Sequence, residues 1–239
     1  MKVLLLAALA LIVLVSGCTQ QAGSGDPKQV LKESLSKSSN VDYFVQYDFS
    51  TEFRPLSQPD QFLKTSGTMS QYKKGGKLKI VTRVSQISTS ADAQTPPEKT
   101  TDETIIYVLP TGVYQCNKIA NSTSCAKEED ADVERITKLF NTTAALQTID
   151  ESVSSGQVKL KLNQEKTIAS RKCYDIEAAY IDTAGIKPTS VCLDVETGIL
   201  LSNSAELKTG GILNVVNMVA KSLSLEVSDS EFIVPETNS

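Results

Sequence analysis

The 239-residue chain contains no histidine and no tryptophan. Histidine is the side chain that most often serves as general base near neutral pH and the one that most often binds zinc. Its absence makes an ordinary hydrolase a poor expectation, and the chain reads as a non-enzyme with no metal and no cofactor. Basic runs are also missing. The balance is acidic, 24 Lys+Arg against 28 Asp+Glu for a net charge of −4, which argues against a nucleic-acid partner and against charge-driven docking on anionic lipid. None of the cysteine spacings forms the C-x₂₋₄-C knuckle of a zinc site. The longest apolar run, residues 3–15, is 13 residues, about 20 Å as a helix, where a bilayer span needs ~20 residues. Aromatic side chains are scarce at 5%, so a cluster of them marks core.

What is present begins at the N-terminus. Lys2, the apolar run and the small pair Ser16-Gly17 form a secretory signal. The ending Val15-Ser16-Gly17-Cys18 resembles the lipobox of bacterial and archaeal lipoproteins. That resemblance implies that residues 1–17 are removed, that the Cys18 thiol carries acyl chains such as palmitate, and that the protein faces the extracytoplasmic side of the cell membrane. Removal leaves 222 residues and, with Lys2 gone, a net charge of −5. The covalent lipid is then the membrane attachment, and two or more chains are needed to make it firm. Residues 18–25, small, polar and glycine-containing, read as a flexible tether. Residues 26–235 read as a single domain with ample length for a core, and residues 236–239 as a tail.

Four further cysteines, Cys116, Cys125, Cys173 and Cys192, form an even set in an exported domain and imply two disulfides. Three pairings are open. The local one, Cys116–Cys125 with Cys173–Cys192, is preferred because each bond closes a short loop within one supersecondary unit, contributing about 3 kcal/mol in the loop-entropy picture.

Asp26-Pro27 opens a short amphipathic helix over 27–39, with Asp at the N-cap and Pro at N1. The period of two over 43–53 predicts a long strand whose one face carries Tyr43, Val45, Tyr47, Phe49 and Phe53. A hairpin is expected around Lys74-Gly75-Gly76-Lys77 and another around Pro110-Thr111-Gly112. Residues 88–103 read as a polar loop. Val133, Ile136, Leu139 and Phe140 follow an acidic stretch at helical spacing and predict a second amphipathic helix. The last third reads as strands over 158–162, 172–180, 189–195 and 199–207, with a final strand carrying Val219, Leu223, Leu225 and Val227.

Helices and strands do not alternate one by one, so the fold class is α+β with an antiparallel sheet. The order of elements, the 27–39 helix leading into the 43–53 strand and the closing Phe232–Pro235 segment resemble the LolA / LppX–LprG group of lipoprotein and lipid carriers. The resemblance implies a curved half-barrel sheet, two amphipathic helices against its concave face, and an apolar cavity between them. Tyr43, Val45, Tyr47, Phe49 and Phe53 are then the candidate cavity lining.

Other patterns carry less. Ser34-x-x-Lys37, Ser70-x-x-Lys73, Ser38-x-Asn40 and Lys208-Thr209-Gly210 match the three motifs of Ser/Lys hydrolases such as penicillin-binding enzymes, but the first and third patterns abut, leaving no room for an intervening domain. Glu128, Glu129, Asp130 and Asp132 lack the spacing and the glycine of a calcium loop and read as a helix start. Asn121-Ser122-Thr123 and Asn141-Thr142-Thr143 are N-glycosylation sequons. Two functions follow from this sequence: a membrane-anchored protein that binds or carries an apolar ligand such as a lipid, or a non-enzymatic structural protein of the envelope with a packed core and a protein partner. A Ser/Lys hydrolase is the remote third.

Overall fold

A computed structural model describes residues 25–58, 60–90, 103–119, 122–129, 151–181 and 187–235. Cys18, residues 19–24 of the tether, Asn121, Asn141 and the helix expected over 133–143 lie outside the described residues.

The domain is built on one antiparallel sheet. Among the described residues one α-helix, α1 (Pro27–Ser39), precedes it. The strands are β1 (Tyr43–Pro55), β2 (Gln61–Lys74), β3 (Lys77–Ser90), β4 (Glu103–Leu109), β5 (Gly112–Ile119), β6 (Ser122–Lys127), β7 (Val158–Leu162), β8 (Lys166–Ile168), β9 (Arg171–Tyr180), β10 (Thr189–Asp194), β11 (Leu200–Thr209) and β12 (Ile212–Ser224). A 3₁₀ turn, Asp229–Phe232, follows. The sheet order is β6-β5-β4-β3-β2-β1-β12-β11-β10-β9-β7, with β8 on β9. Two meanders therefore meet where the first strand pairs with the last.

The turn chemistry explains the meander. Gly75 and Gly76 join β2 to β3 at φ +53 and +78, and Gly210 and Gly211 join β11 to β12 at φ +57 and +80. Two successive left-handed residues give the two-residue turn whose twist matches paired strands, and glycine adopts it without steric cost. Lys208-Thr209-Gly210 is thus the entry to a hairpin.

The sheet curls. β8 comes within 8 Å of β12, Cα to Cα, although four strand spacings separate them along the sheet; a flat sheet would hold them roughly 19 Å apart. Ile168 and Ala169 at the end of β8 pack against the cluster formed by Val45, Tyr47, Cys173, Cys192, Leu201 and Ala220. The side toward which the sheet curls is therefore the one bearing Tyr47, the inner face.

Three differences from the sequence reading have physical causes. Of the two helices expected on the concave face, the second falls outside the described residues, and α1 packs Leu31 on Ile176 and Leu193 at the β7–β9–β10 end of the sheet rather than across its middle. The last strand ends at Ser224, so Leu225 and Val227 lie beyond it; a bulge that leaves Lys221 unpaired, between Ala220 opposite Tyr47 and Ser222 opposite Gln46, breaks the alternation that a period-two reading needs. β6 was hidden because Ser-Thr-Ser-Cys-Ala-Lys has no apolar period, and it forms because Cys125 sits directly opposite Cys116.

The opposite end of the sheet has its own core. Val81, Ile105, Cys116 and Cys125 stand in one row across β3 to β6 and bury together. Beside them Lys79 lies 5.0 Å from the Tyr72 ring centre and 5.6 Å from that of Tyr107, and it pairs with Glu231 at 2.8 Å. Lys74 and Lys77 both hold Asp229, at 2.9 and 2.8 Å. These contacts strap the chain's C-terminal segment onto the sheet, and Val234 covers the row.

Candidate functional site

The inner-face stripe of β1 divides into two halves. In the proximal half Val45 and Tyr47 are buried, at 0% and 2% exposure, in a cluster with Leu201, Ala220, Cys173 and Cys192. Each buried side chain of this size contributes about 1.5–3 kcal/mol. The Tyr47 hydroxyl donates to the Leu200 carbonyl at 2.7 Å. Burial pushes the Tyr43 hydroxyl up to about 12, against the opposing pull of a hydrogen bond with Gln71.

Several devices keep this half shut. The Cys173–Cys192 disulfide links β9 to β10, with Cα atoms 5.4 Å apart; the other disulfide, Cys116–Cys125, links β5 to β6 in the separate core at the far end of the sheet. Asp194, 1% exposed, accepts from Arg171 Nε at 2.6 Å and Nη2 at 3.0 Å and from the Thr197 N–H and hydroxyl, both at 2.8 Å. Burial alone would raise this carboxyl; the Arg171 and Thr197 hydrogen bonds outweigh it and hold the group below its ordinary value. The turn so fixed brings Gly198, at φ +70, against α1: a Cβ there would lie 1.7 Å from the Ser34 carbonyl oxygen. Asp175 performs a similar task for β8, accepting from Lys166 at 2.8 Å, Ser190 at 2.9 Å and Asn163 at 3.2 Å.

The distal half is open. Phe53 stands opposite Leu63 on β2 and Asn214 on β12, and Asn214 stands opposite Leu207 on β11. Ile212 shares the face of Asn214 by the period of two. Phe53, Leu63, Leu207 and Ile212 are 42%, 42%, 46% and 44% exposed. Leu56, also exposed, is held beside the β11–β12 turn by its N–H donating to the Gly211 carbonyl. Four adjacent strands thus present large apolar side chains to one side.

Of the five residues expected from the sequence, Val45 and Tyr47 lie in packed core, Tyr43 packs against that core, Phe49 sits between the halves and Phe53 stands at the open end. The sequence alone does not mark Leu63, Leu207 and Ile212; alternation places them on the inner face once the strand pairing is known, and the pairing joins segments some 150 residues apart. Asn203 and Asn214 carry no sequence signal at all. Both lie on the inner face, Asn203 opposite Met218 and Val191, and the side-chain oxygen of each is buried with no hydrogen-bond partner. Leaving such an oxygen unpaired costs about 1–3 kcal/mol.

The hydrolase-like patterns are dispersed. Ser34 is buried under Gly198, and Lys37 donates to the Val195 carbonyl at 3.0 Å. Ser70 is buried on β2, and Lys73 donates to the Ser38 and Ser39 carbonyls at 2.8 Å each, satisfying the C-terminal end of α1. Burial lowers the Lys73 ammonium, and Asp42 acts in the opposite sense. Among the described residues no group of three or more His, Cys, Asp or Glu side chains is placed to hold a metal ion, and no helix is long and apolar enough to cross a membrane. A separate groove of about 610 Å³ lies at the proximal rim between Asp42, Lys74 and residues 225–228; its walls mix charge with apolar surface and include none of the inner-face stripe.

No protein family matches the sequence, and no characterised protein matches it. Among solved structures the chain is similar to MucB, at 12% identity and a TM-score of 0.46, over 90% of this chain and 65% of that one. It is similar to the MucA/MucB complex of Pseudomonas aeruginosa at 12% identity and a TM-score of 0.46, over 88% and 62%. It is also similar to a LolA superfamily protein from Nitrosomonas europaea at 11% identity and a TM-score of 0.32, over 88% and 99%. The chain spans less than two thirds of the MucB structures it matches. These likenesses concern the course of the backbone and place no side chain.

Proposed function

We propose that this protein is a lipid-anchored, extracytoplasmic, non-enzymatic binding protein that holds an apolar ligand, an acyl chain of a lipid, on the distal half of its inner face. The observation that carries the reading is the row Phe53, Leu63, Leu207 and Ile212, exposed on the same face whose other half is packed core. A contiguous apolar patch on a concave surface is the usual form of a ligand or partner site. The Cys18 anchor supports the reading because it would keep the domain beside a source of lipid. Mass spectrometry of protein gently extracted from native membrane tests it: a co-purifying lipid at near-equal molar amount is expected, and consistent absence of lipid counts against it. Cys18→Ser is expected to release the protein from membranes; a variant that stays membrane-bound contradicts the anchor.

A further inference from the structure

On β12 two asparagines stand three residues apart on opposite faces of the sheet. Asn217, on the outer face, has its side-chain oxygen satisfied by the Ser204 hydroxyl at 2.8 Å. Asn214, on the inner face, has none, and neither does Asn203 on β11. Arg54 Nε, the third buried atom without a partner among the described residues, lies on the outer side, because Arg54 alternates with Phe53. Both unpartnered acceptors therefore belong to the face that carries the exposed apolar row. Asn214 is flanked by Phe53 and Leu207, which stand directly opposite it on either side. Asn203 lies deeper, opposite Met218, four residues along β12 from Asn214, or about 14 Å at the strand rise. A buried acceptor without a donor costs stability, and a leucine at either place would pack better with its neighbours. Functional surfaces are where such a cost is retained.

We infer that Asn214 and Asn203 are ligand acceptors, and that the apolar ligand is a lipid with N–H or O–H donors on or beside its chain, an amide- or hydroxyl-bearing amphiphile rather than a plain ester. The inference rests on the proposed apolar site and adds the chemistry that selects among lipids. Asn214 reads a donor near the rim; Asn203 reads one nearer the packed core.

The test uses delipidated protein and two C16 probes delivered from cyclodextrin, read by titration calorimetry. Palmitoylethanolamide offers N–H and O–H donors; methyl palmitate offers acceptors alone. The wild type is expected to bind the amide about tenfold more tightly than the ester. Asn214→Leu is expected to remove most of that preference by weakening the amide while leaving the ester unchanged or tighter, and to raise the melting temperature of the ligand-free protein. Equal affinity for both probes in the wild type, or equal effects of Asn214→Leu on both, overturns the donor inference and leaves the apolar site standing. A lowered melting temperature in Asn214→Leu also overturns it, since Asn214 would then be structural. Failure of both probes to bind the wild type contradicts the apolar site itself, and this inference with it.

Discussion

Tyr47 and Phe53 lie six residues apart on the same face of the same strand, yet one is 2% exposed and the other 42%. Nothing local separates them. The difference is what the rest of the chain lays over each. Above Tyr47 come the end of β8, the Cys173–Cys192 bond and Leu201, braced by the Asp194 turn that docks on α1. At Phe53 the neighbours are the long distal ends of β2, β11 and β12, which add width to the sheet without covering it. The proximal end is where stability is invested, and the distal end is where surface is left open for use.

Substitutions at the two ends should therefore diverge. The largest expected effect is Asp194→Ala. It leaves Arg171 without its buried partner, and Thr197 and Glu196 without the acceptor for their N–H groups, so a loss of about 3–5 kcal/mol is expected in chemical denaturation. A loss under 1 kcal/mol would mean that the network is not the brace of that end. Removing the Cys173–Cys192 bond by a double alanine substitution follows at about 3 kcal/mol. Cys116→Ala should expose a single free thiol, at Cys125; labelling at Cys173 or Cys192 would contradict the pairing.

Acid should act on the proximal end in the same sense. The folded Asp194 and Asp175 carboxyls titrate below their unfolded value of 3.8. Their contribution is complete above that pH and is lost as pH falls through the lower folded values. Melting temperature should hold from neutrality down to about pH 5 and drop below pH 4, and the Asp194→Ala protein should show a shallower drop. An unaltered acid profile in that variant would assign the acid sensitivity elsewhere. The smallest effect on stability, within about 0.5 kcal/mol, is expected for Phe53→Ser with Leu207→Ser, since both side chains are already half in solvent. Ligand binding is where that variant should fail.

Local features were readable in advance and coverage was not. The Asp26 side chain accepts the Lys28 N–H at 3.1 Å and opens α1 as its cap chemistry requires. The period of two announced β1, and the glycine pair announced the β2–β3 turn. Whether an inner-face residue is core or site depends on Leu201 or Leu207, more than 140 residues away, and on a sheet that curls, for which no sequence periodicity speaks. The bulge at Lys221 hid the register of β12, and with the register went the significance of Asn214, which shares with Asn203 a buried side-chain oxygen without a donor.

The central claim is that the distal half of the inner face is an open lipid site independent of the packed half. Native mass spectrometry of membrane-extracted wild type beside the Phe53→Ser/Leu207→Ser protein tests it most directly. The expected result is lipid bound near one-to-one on the wild type and lost from the variant, with the two delipidated proteins melting at the same temperature. Lipid retained equally by both, or found on neither, would contradict it.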